Sequence, residues 1–348
     1  MSVQFTSPRF ERVTVGPQAS WGTVPNAGGT WTNTGAKLIR SGVNGCKLKA
    51  IRPLTPVPWK TGTRSTQPGI IGRSSASWSL SNLPVILSGT AGTVPDMDVI
   101  LQSLFGQAPV TSGSCAYTFI DTAFVPFVLA RFQHGLVNLT NQFAHGCLVE
   151  EATFTLNGNV FEGSFSGPAS WVLDSENFAA GEDTVSKAGL TTFPVELVTP
   201  TTTGNIQVGF TGTATFDSNG MDVTSAPLIS CSVRIRTGNM LVQDAFGYSY
   251  PMMAMGGERG VTVSCSFMDT DQTPLANLKQ KAKSKSGINL TLVVGTAAGY
   301  IATFTIKNAQ LNIPDYADDN ARVTAGFGES PAHASAIASV DDLALTLT

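Results

Sequence analysis

Gly260-Val-Thr-Val-Ser-Cys-Ser-Phe267 is the stretch on which the fold class turns. Apolar and hydroxyl side chains alternate along it, and successive residues of a strand point to opposite faces, so the pattern describes a strand with one buried and one wetted side. Similar alternating or β-branched runs recur at Cys46 to Arg52, Ser75 to Leu80, Tyr117 to Asp121, Ala152 to Leu156, Ser230 to Arg236, Ile288 to Val294 and Tyr300 to Ile306. Gly, Pro, Asn or Ser separates most of them. Short strands punctuated in this way predict an all-β sandwich or barrel.

Two segments break the pattern and resemble each other. In Thr93-Val-Pro-Asp-Met-Asp-Val-Ile-Leu-Gln-Ser-Leu-Phe-Gly106, the residues Met97, Ile100, Leu101 and Leu104 fall on one helical face. Pro95, Asp96 and Asp98 suit a first turn, and Gly106 suits the position after the last. The second runs from Thr273 to Gly287, with Thr273 as N-cap, Pro274 at the first helical position, and Leu275, Leu278 and Ala282 on one face. Each helix is short and carries a single apolar stripe, so each is expected to lie against a sheet.

The flanks repeat too. Cys46-Lys-Leu-Lys-Ala-Ile-Arg52 resembles Cys231-Ser-Val-Arg-Ile-Arg236, and Ser77-Trp-Ser-Leu80 resembles Ser264-Cys-Ser-Phe267. Downstream, Gly163-Ser-Phe-Ser-Gly-Pro-Ala-Ser170 answers Gly326-Phe-Gly-Glu-Ser-Pro-Ala-His-Ala-Ser335. The order strand, strand, helix, strands and Gly-Pro-Ala-rich end therefore occurs twice, which points to an internal duplication. The fold class expected is all-β dominated, a β-sandwich or barrel with a short flanking helix in each of two repeated domains. Their bounds are 1–172 and 205–348, with a connecting segment at 173–204.

Charged residues are 13% of the 348, about half the share usual in soluble proteins, while hydrophobic residues are 42%. A chain so short of charge either hides surface in an assembly or is covered by Ser, Thr, Gly and Asn. The net charge of −3 conceals an asymmetry. From Arg12 to Pro95 there are nine bases and no acid; from Asp96 onward, 11 bases face 23 acids. One basic and one acidic region suit head-to-tail association of copies better than nucleic-acid binding, which stays open. No run approaches the roughly 18 apolar residues of a membrane helix, and the start lacks the apolar core of a secretory signal, so a cytosolic site of synthesis is expected.

Catalytic signatures are missing: there is no phosphate loop, H-E-x-x-H, C-x-x-C or G-x-S-x-G. The five cysteines are odd in number and scattered, which argues against a disulfide framework or zinc site and for reduced, mostly buried thiols. His134, His145 and His333 read as structural or surface residues. Asp315, Asp318 and Asp319 with Asn320 depart from the calcium-loop spacing and read as a solvated turn. Neither an enzyme, a metal nor a cofactor is expected.

Pro53 to Arg73 differs in kind. Pro53, Pro56, Pro58 and Pro68 with Gly62, Gly69 and Gly72 exclude a helix or inner strand, yet the segment carries Trp59, Ile70 and Ile71. It is either a loop folded back on its own domain or an arm lying on a neighbouring subunit. In the second case Trp59, Lys60, Arg64, Ile70, Ile71 and Arg73 are the candidate inter-subunit or inter-ring contacts.

The Pro-Trp-Lys-Thr-Gly-Thr-Arg arm, the helix ending Leu-Gln-Ser-Leu-Phe-Gly106 and the closing Gly326 to Thr348 together resemble the tail tube proteins of long-tailed, non-contractile bacteriophages. The resemblance implies a sandwich or barrel flanked by a helix, rings formed through edge strands, and a long loop that stacks the rings into a hollow tube for DNA. It implies a virion protein made in the host cytoplasm, without catalytic residues, meeting the tape measure, terminator and distal tail proteins, with DNA passing unbound along a lumen that tends to be acidic in this family. Single-domain members form rings of six, so two domains in one chain imply a ring of three with near six-fold symmetry, a hexameric ring being the alternative. The counterpart arm, Gly238 to Gly257, is neither basic nor similar in sequence. A reading from a different class is a β-sandwich carbohydrate-binding or adhesin-like module of a particle, using Trp59 or the Tyr248 region.

Overall fold

The structure is a computed structural model that describes residues 11–348 apart from 22–23, 25, 28, 33–34, 42–44, 56–68, 86, 122, 134–139, 158–159, 182–188, 195–211, 218–227, 243–250, 252, 270–272, 320–321 and 337–338. The protein is all-β dominated, with several antiparallel sheets and, among the described residues, three short helices.

The first strands are β1 (Glu11–Pro17), β2 (Asn26–Ala27), β3 (Thr30–Trp31), β4 (Lys37–Ile39), β5 (Cys46–Ile51), β6 (Leu54–Thr55), β7 (Ile70–Ile71) and β8 (Ser75–Pro84). After helix α1 (Asp98–Phe105) come β9 (Val110–Thr111), β10 (Cys115–Thr118), β11 (Phe127–Gln133), β12 (Gln142–Cys147), β13 (Glu151–Asn157), β14 (Val160–Ala169) and β15 (Trp171–Asp174). Helix α2 (Ser175–Ala180) leads into the second half. There β16 (Gly212–Asp217), β17 (Leu228–Arg236), β18 (Met240–Val242), β19 (Met253–Met255) and β20 (Gly260–Met268) precede helix α3 (Thr273–Ser284). The chain ends with β21 (Ile288–Val294), β22 (Ala302–Ala309), β23 (Asp315–Asp319), β24 (Arg322–Ala332) and β25 (Leu343–Leu347).

Three large sheets organise these strands. One has eight, in the order β23-β24-β20-β17-β13-β14-β8-β5; the others run β15-β12-β11-β1-β4 and β16-β21-β22-β25-β10-β9. The alternation noted at Gly260 to Phe267 sets the core. Val261, Val263, Cys265 and Phe267 are all at most 3% exposed. The core continues through Trp78 and Phe127, whose rings meet edge-on at 5.1 Å, and through Phe154, which meets Phe304 at 5.1 Å.

Helix α1 begins at Asp98 with Met97 as its N-cap, so Pro95 and Asp96 lie in the preceding turn, where Asp98 N–H donates to the Pro95 carbonyl. It stops at Gly106, whose φ of 80° is the left-handed conformation glycine tolerates best. Asp98 also accepts from the Tyr117 hydroxyl and Gln102 amide, at 2.7 Å each, anchoring α1 to β10. Thr273 is the first helical residue of α3 rather than its cap. Leu275, Leu278 and Ala282 are buried, as the stripe implied.

Three further differences from the sequence reading have local causes. Asp315 to Asp319 form a strand instead of a turn, because their backbone ladders with β24 from Asp315↔Gly326 to Asp319↔Arg322. The strand sought at Tyr117 to Asp121 lies at Cys115 to Thr118. It belongs to the sheet of the second half, where Tyr117 pairs with Leu345. Within the connecting segment, α2 forms because Asp174 caps it by accepting from Asn177 N–H at 2.6 Å and Gly181 ends it in the left-handed conformation.

Candidate functional site

The eight-stranded sheet contains the same four-strand order twice: β5-β8-β14-β13, then β17-β20-β24-β23. The second sheets repeat as well, β15-β12-β11-β1 against β25-β22-β21-β16, with each set encountered in the same chain order. Strand registers give residue equivalences. Pro168 and Ala169 pair with Ser77 and Ala76, as Pro331 and Ala332 pair with Thr262 and Val261. Phe165 pairs with Leu80, as Phe327 pairs with Cys265. Cys46↔Leu80 and Cys231↔Cys265 then match, so Leu48 corresponds to Val233 and Lys49 to Arg234. Trp78 corresponds to Val263 and not to Cys265: the resemblance of Ser77–Leu80 to Ser264–Phe267 is two residues out of register, because repeated serines make the sliding match look equally good.

The two four-strand units join through β13 and β17. Their ladder runs from Glu151↔Arg236 through Thr153↔Arg234 and Phe154↔Val233 to Asn157↔Ser230. Glu151 accepts from Arg234 Nε at 2.7 Å and lies 3.7 Å from Arg236, so the joint pairs an acid on β13 with bases on β17. On the buried side Phe154 crosses onto Phe304 of β22, at 2% exposure. The joint is therefore ladder, ion pairs and an aromatic contact together.

At the two ends of this sheet the equivalent strands have no such neighbour. Among the described residues β5 pairs with β8 alone and β23 with β24 alone. Side chains at both edges are open: Ile51 on β5 is 41% exposed, Tyr316 on β23 58%, and Ile313, two residues ahead of β23, 59%. An uncovered strand edge of this kind is a template for pairing with another chain.

Facing away from the core, the eight-stranded sheet presents Ser75, Ser77, Ser79, Ser164, Ser166, Thr153, Thr155, Ser232, Thr262, Ser264 and Thr324. Its arginine charge is largely neutralised in place, Arg234 reaching both Glu151 and, at 3.0 Å, Glu329. Contact with Glu151 also raises the pKa of the Arg234 guanidinium. Lys47 and Lys49 lie along a shallow groove of this face beside Ser77, Ser166 and Glu150.

Paired short strands leave the sheet at equivalent places in the two halves, β6–β7 between β5 and β8, and β18–β19 between β17 and β20. Of the six candidate contact residues, Trp59, Lys60 and Arg64 lie outside the described residues, as does Tyr248. Ile70 stands on β7 at 58% exposure, Ile71 follows it on the same strand, and Arg73 is exposed just beyond. The second arm exposes Met240, Met253 and Met255, and the dissimilar sequences thus share a ladder and an apolar surface.

All five cysteines are buried and free. Burial pushes the Cys46 thiol up to about 12 and raises Cys147 well above its ordinary value. Cys265 is raised too, by the hydrogen bond with Cys231 and by burial. Such thiols are poor nucleophiles. His145 is buried within β12 and His333 is exposed. A cleft of 280 Å³ between the halves is lined by Phe119, Asp121, Asn239 and Arg259, and there Arg259 is already held by Asp342 and Asp121. No helix among the described residues is long and apolar enough to cross a membrane.

No family model and no curated protein matches the chain. Among solved structures, the tail of an empty GTA particle with C6 symmetry is similar at 12% identity and a TM-score of 0.26, over 39% of this chain and 90% of that one. A likeness of that size carries no argument about function.

Proposed function

We propose that the protein is a structural virion protein of a phage tail, assembling into stacked rings that form a hollow tube for DNA. One observation carries this: a four-strand unit occurs twice in one sheet, joined through β13 and β17, while among the described residues their equivalents β23 and β5 have no strand on their outer sides. An interface between two different edges is heterologous, and a heterologous interface that closes by rotation makes a ring. Three chains supply six four-strand units, giving near six-fold symmetry. On this reading residues 1–172 and 205–348 are two copies of one domain, and the arms β6–β7 and β18–β19 reach the next ring.

The hydroxyl-covered face of the sheet is then the lumen wall. Bound phosphates need free cations, and this wall is sparing of them: Arg234 is held by Glu151 and Glu329, and Lys47 and Lys49 lie among hydroxyls beside Glu150. Low adhesion on this wall comes from hydroxyls and paired charge more than from excess acid. No residue is assigned a catalytic, metal-binding or cofactor-binding role.

Negative-stain electron microscopy with native mass spectrometry, across a concentration and salt series, tests the proposal. Rings or tubes with three chains per ring are expected. Six chains per ring would keep the tube and overturn the two-unit ring. Monomers at every concentration, with sugar-dependent tryptophan fluorescence, would favour a carbohydrate-binding module.

A further inference from the structure

The joint inside the chain offers a template for a joint between chains, which deepens the ring reading and rests on it. Gly163 pairs with Phe154, and its equivalent Ala325 pairs with Tyr316, so Tyr316 occupies the place of Phe154 and Asp315 that of Thr153. In the internal joint Phe154 faces Val233, Thr153 faces Arg234 and Glu151 faces Arg236. The residues of β5 corresponding to Val233, Arg234 and Arg236 are Leu48, Lys49 and Ile51. We infer that β23 of one copy pairs antiparallel with β5 of the next in a single register that sets Asp315 opposite Lys49, Tyr316 opposite Leu48 and Ile313 opposite Ile51 of that next copy.

Properties that did not enter the alignment agree with this register. Asp315 meets a lysine, restoring on the hydroxyl face the acid-to-base pairing that Glu151 makes with Arg234 and Arg236 inside the chain. Ile313 and Ile51, at 59% and 41% exposure, cover each other. Tyr316 is 58% exposed where Phe154 is 2%, and the neighbour supplies the cover that the second half gives Phe154. The ladder with β24 fixes the face of Asp315, so a slip by one residue would set it opposite Leu48 or Ala50, which belong to the other face of β5, and is excluded by the same alternation that builds the sheet.

The test uses the full chain carrying Lys49→Cys and Asp315→Cys, oxidised with diamide under assembly conditions. Directly opposed residues in an antiparallel pair lie within disulfide reach, so a ladder ending at a covalently closed trimer is expected on non-reducing gels. Two slipped pairs, Asp315→Cys with Lys47→Cys and Ala317→Cys with Lys49→Cys, are expected to cross-link at least tenfold less. A charge swap needs no cysteine: Lys49→Asp and Asp315→Lys each reduce ring yield, and the double variant restores it. Rings that form normally but cross-link best in a slipped pair, or a double swap that fails to recover, overturn the register and leave the ring intact. Chains that neither cross-link nor form rings at any concentration overturn both.

Discussion

The Arg259 guanidinium grips Asp342 at two points, Nη2 to Oδ1 at 2.8 Å and Nε to Oδ2 at 3.2 Å. The two residues precede β20 and β25, so the pair ties the eight-stranded sheet to the sheet behind it. Asp342 keeps only 9% side-chain exposure, and Arg259 also lies 4.1 Å from the Phe119 ring centre. Removing the cation strands a carboxylate that has lost most of its water, and breaking such pairs costs about 3 kcal/mol. Arg259→Met is therefore expected to destabilise by that order in urea unfolding. Asp121→Asn is expected to cost under about 1 kcal/mol, since Asp121 is 60% exposed and water takes over.

Alkaline pH should weaken the fold through its thiols. Burial and the Glu11 carboxylate move Cys46 from the ordinary 9.0 to about 12. The native chain therefore keeps a proton that the unfolded chain releases above 9. The stability tied to that proton is whole below pH 9 and is lost as the pH rises toward 12, at about 1.4 kcal/mol per unit for each such thiol. Cys147 and Cys265 act in the same direction. Urea midpoints measured from pH 8 to 11 should fall, and Cys46→Ala should lessen the slope by about one proton. A thiol reagent at pH 8 should find no reactive cysteine until denaturant is added.

Two glycines on equivalent strands should respond in opposite ways. A Cβ on Gly167 would lie 1.9 Å from the Leu148 carbonyl oxygen and 2.9 Å from Glu150 N, both backbone atoms that cannot swing aside. Gly167→Ala is expected to cost about 3 kcal/mol. A Cβ on Gly328 meets nothing within 4 Å, and Gly328→Ala should be neutral or stabilise by up to about 1 kcal/mol through the unfolded chain. Paired denaturation curves decide it.

Alternation made the strands and their faces legible in the sequence, because a period of two survives any tertiary context. Cys46 and Cys231 could be matched from their letters, but the Ile-Arg ends of those runs could not, because the ladders set Ile51 and not Arg52 at the place of Arg236. Ser77-Trp-Ser-Leu80 could not, since Ser at every second position gives no unique phase; only ladder partners such as Phe165 and Phe327 fix it. The crossing of β10 into the sheet of the second half was also illegible. Nothing local to Cys115–Thr118 records that its partner is Leu343–Leu347, more than 200 residues away. Asp174 and Gly181 did carry the signal for α2, a cap and a stop, but the intervening six residues have no apolar stripe to draw attention to it.

The arms give the last prediction, and it separates stacking from ring closure. Leu54 and Ile70 on the first arm are 65% and 58% exposed, and Met240, Met253 and Met255 on the second are 49%, 57% and 48%. Side chains so exposed add little to the stability of the chain itself, because their area is already in water before and after folding. If they are covered by the next ring, changing them alters assembly and not folding. Deleting Pro58 to Gly69, or replacing Met253 and Met255 by Ser, should leave the thermal midpoint within about 2 °C of the parent. Ring formation through β5 and β23 should persist, since neither change touches those edges. Tube length by electron microscopy should collapse to single rings or short stacks for the deletion, and shorten for the Met double variant. Long tubes from the deletion would remove the first arm from the stacking contact, and a large fall in midpoint would mean that the arm folds back on its own subunit.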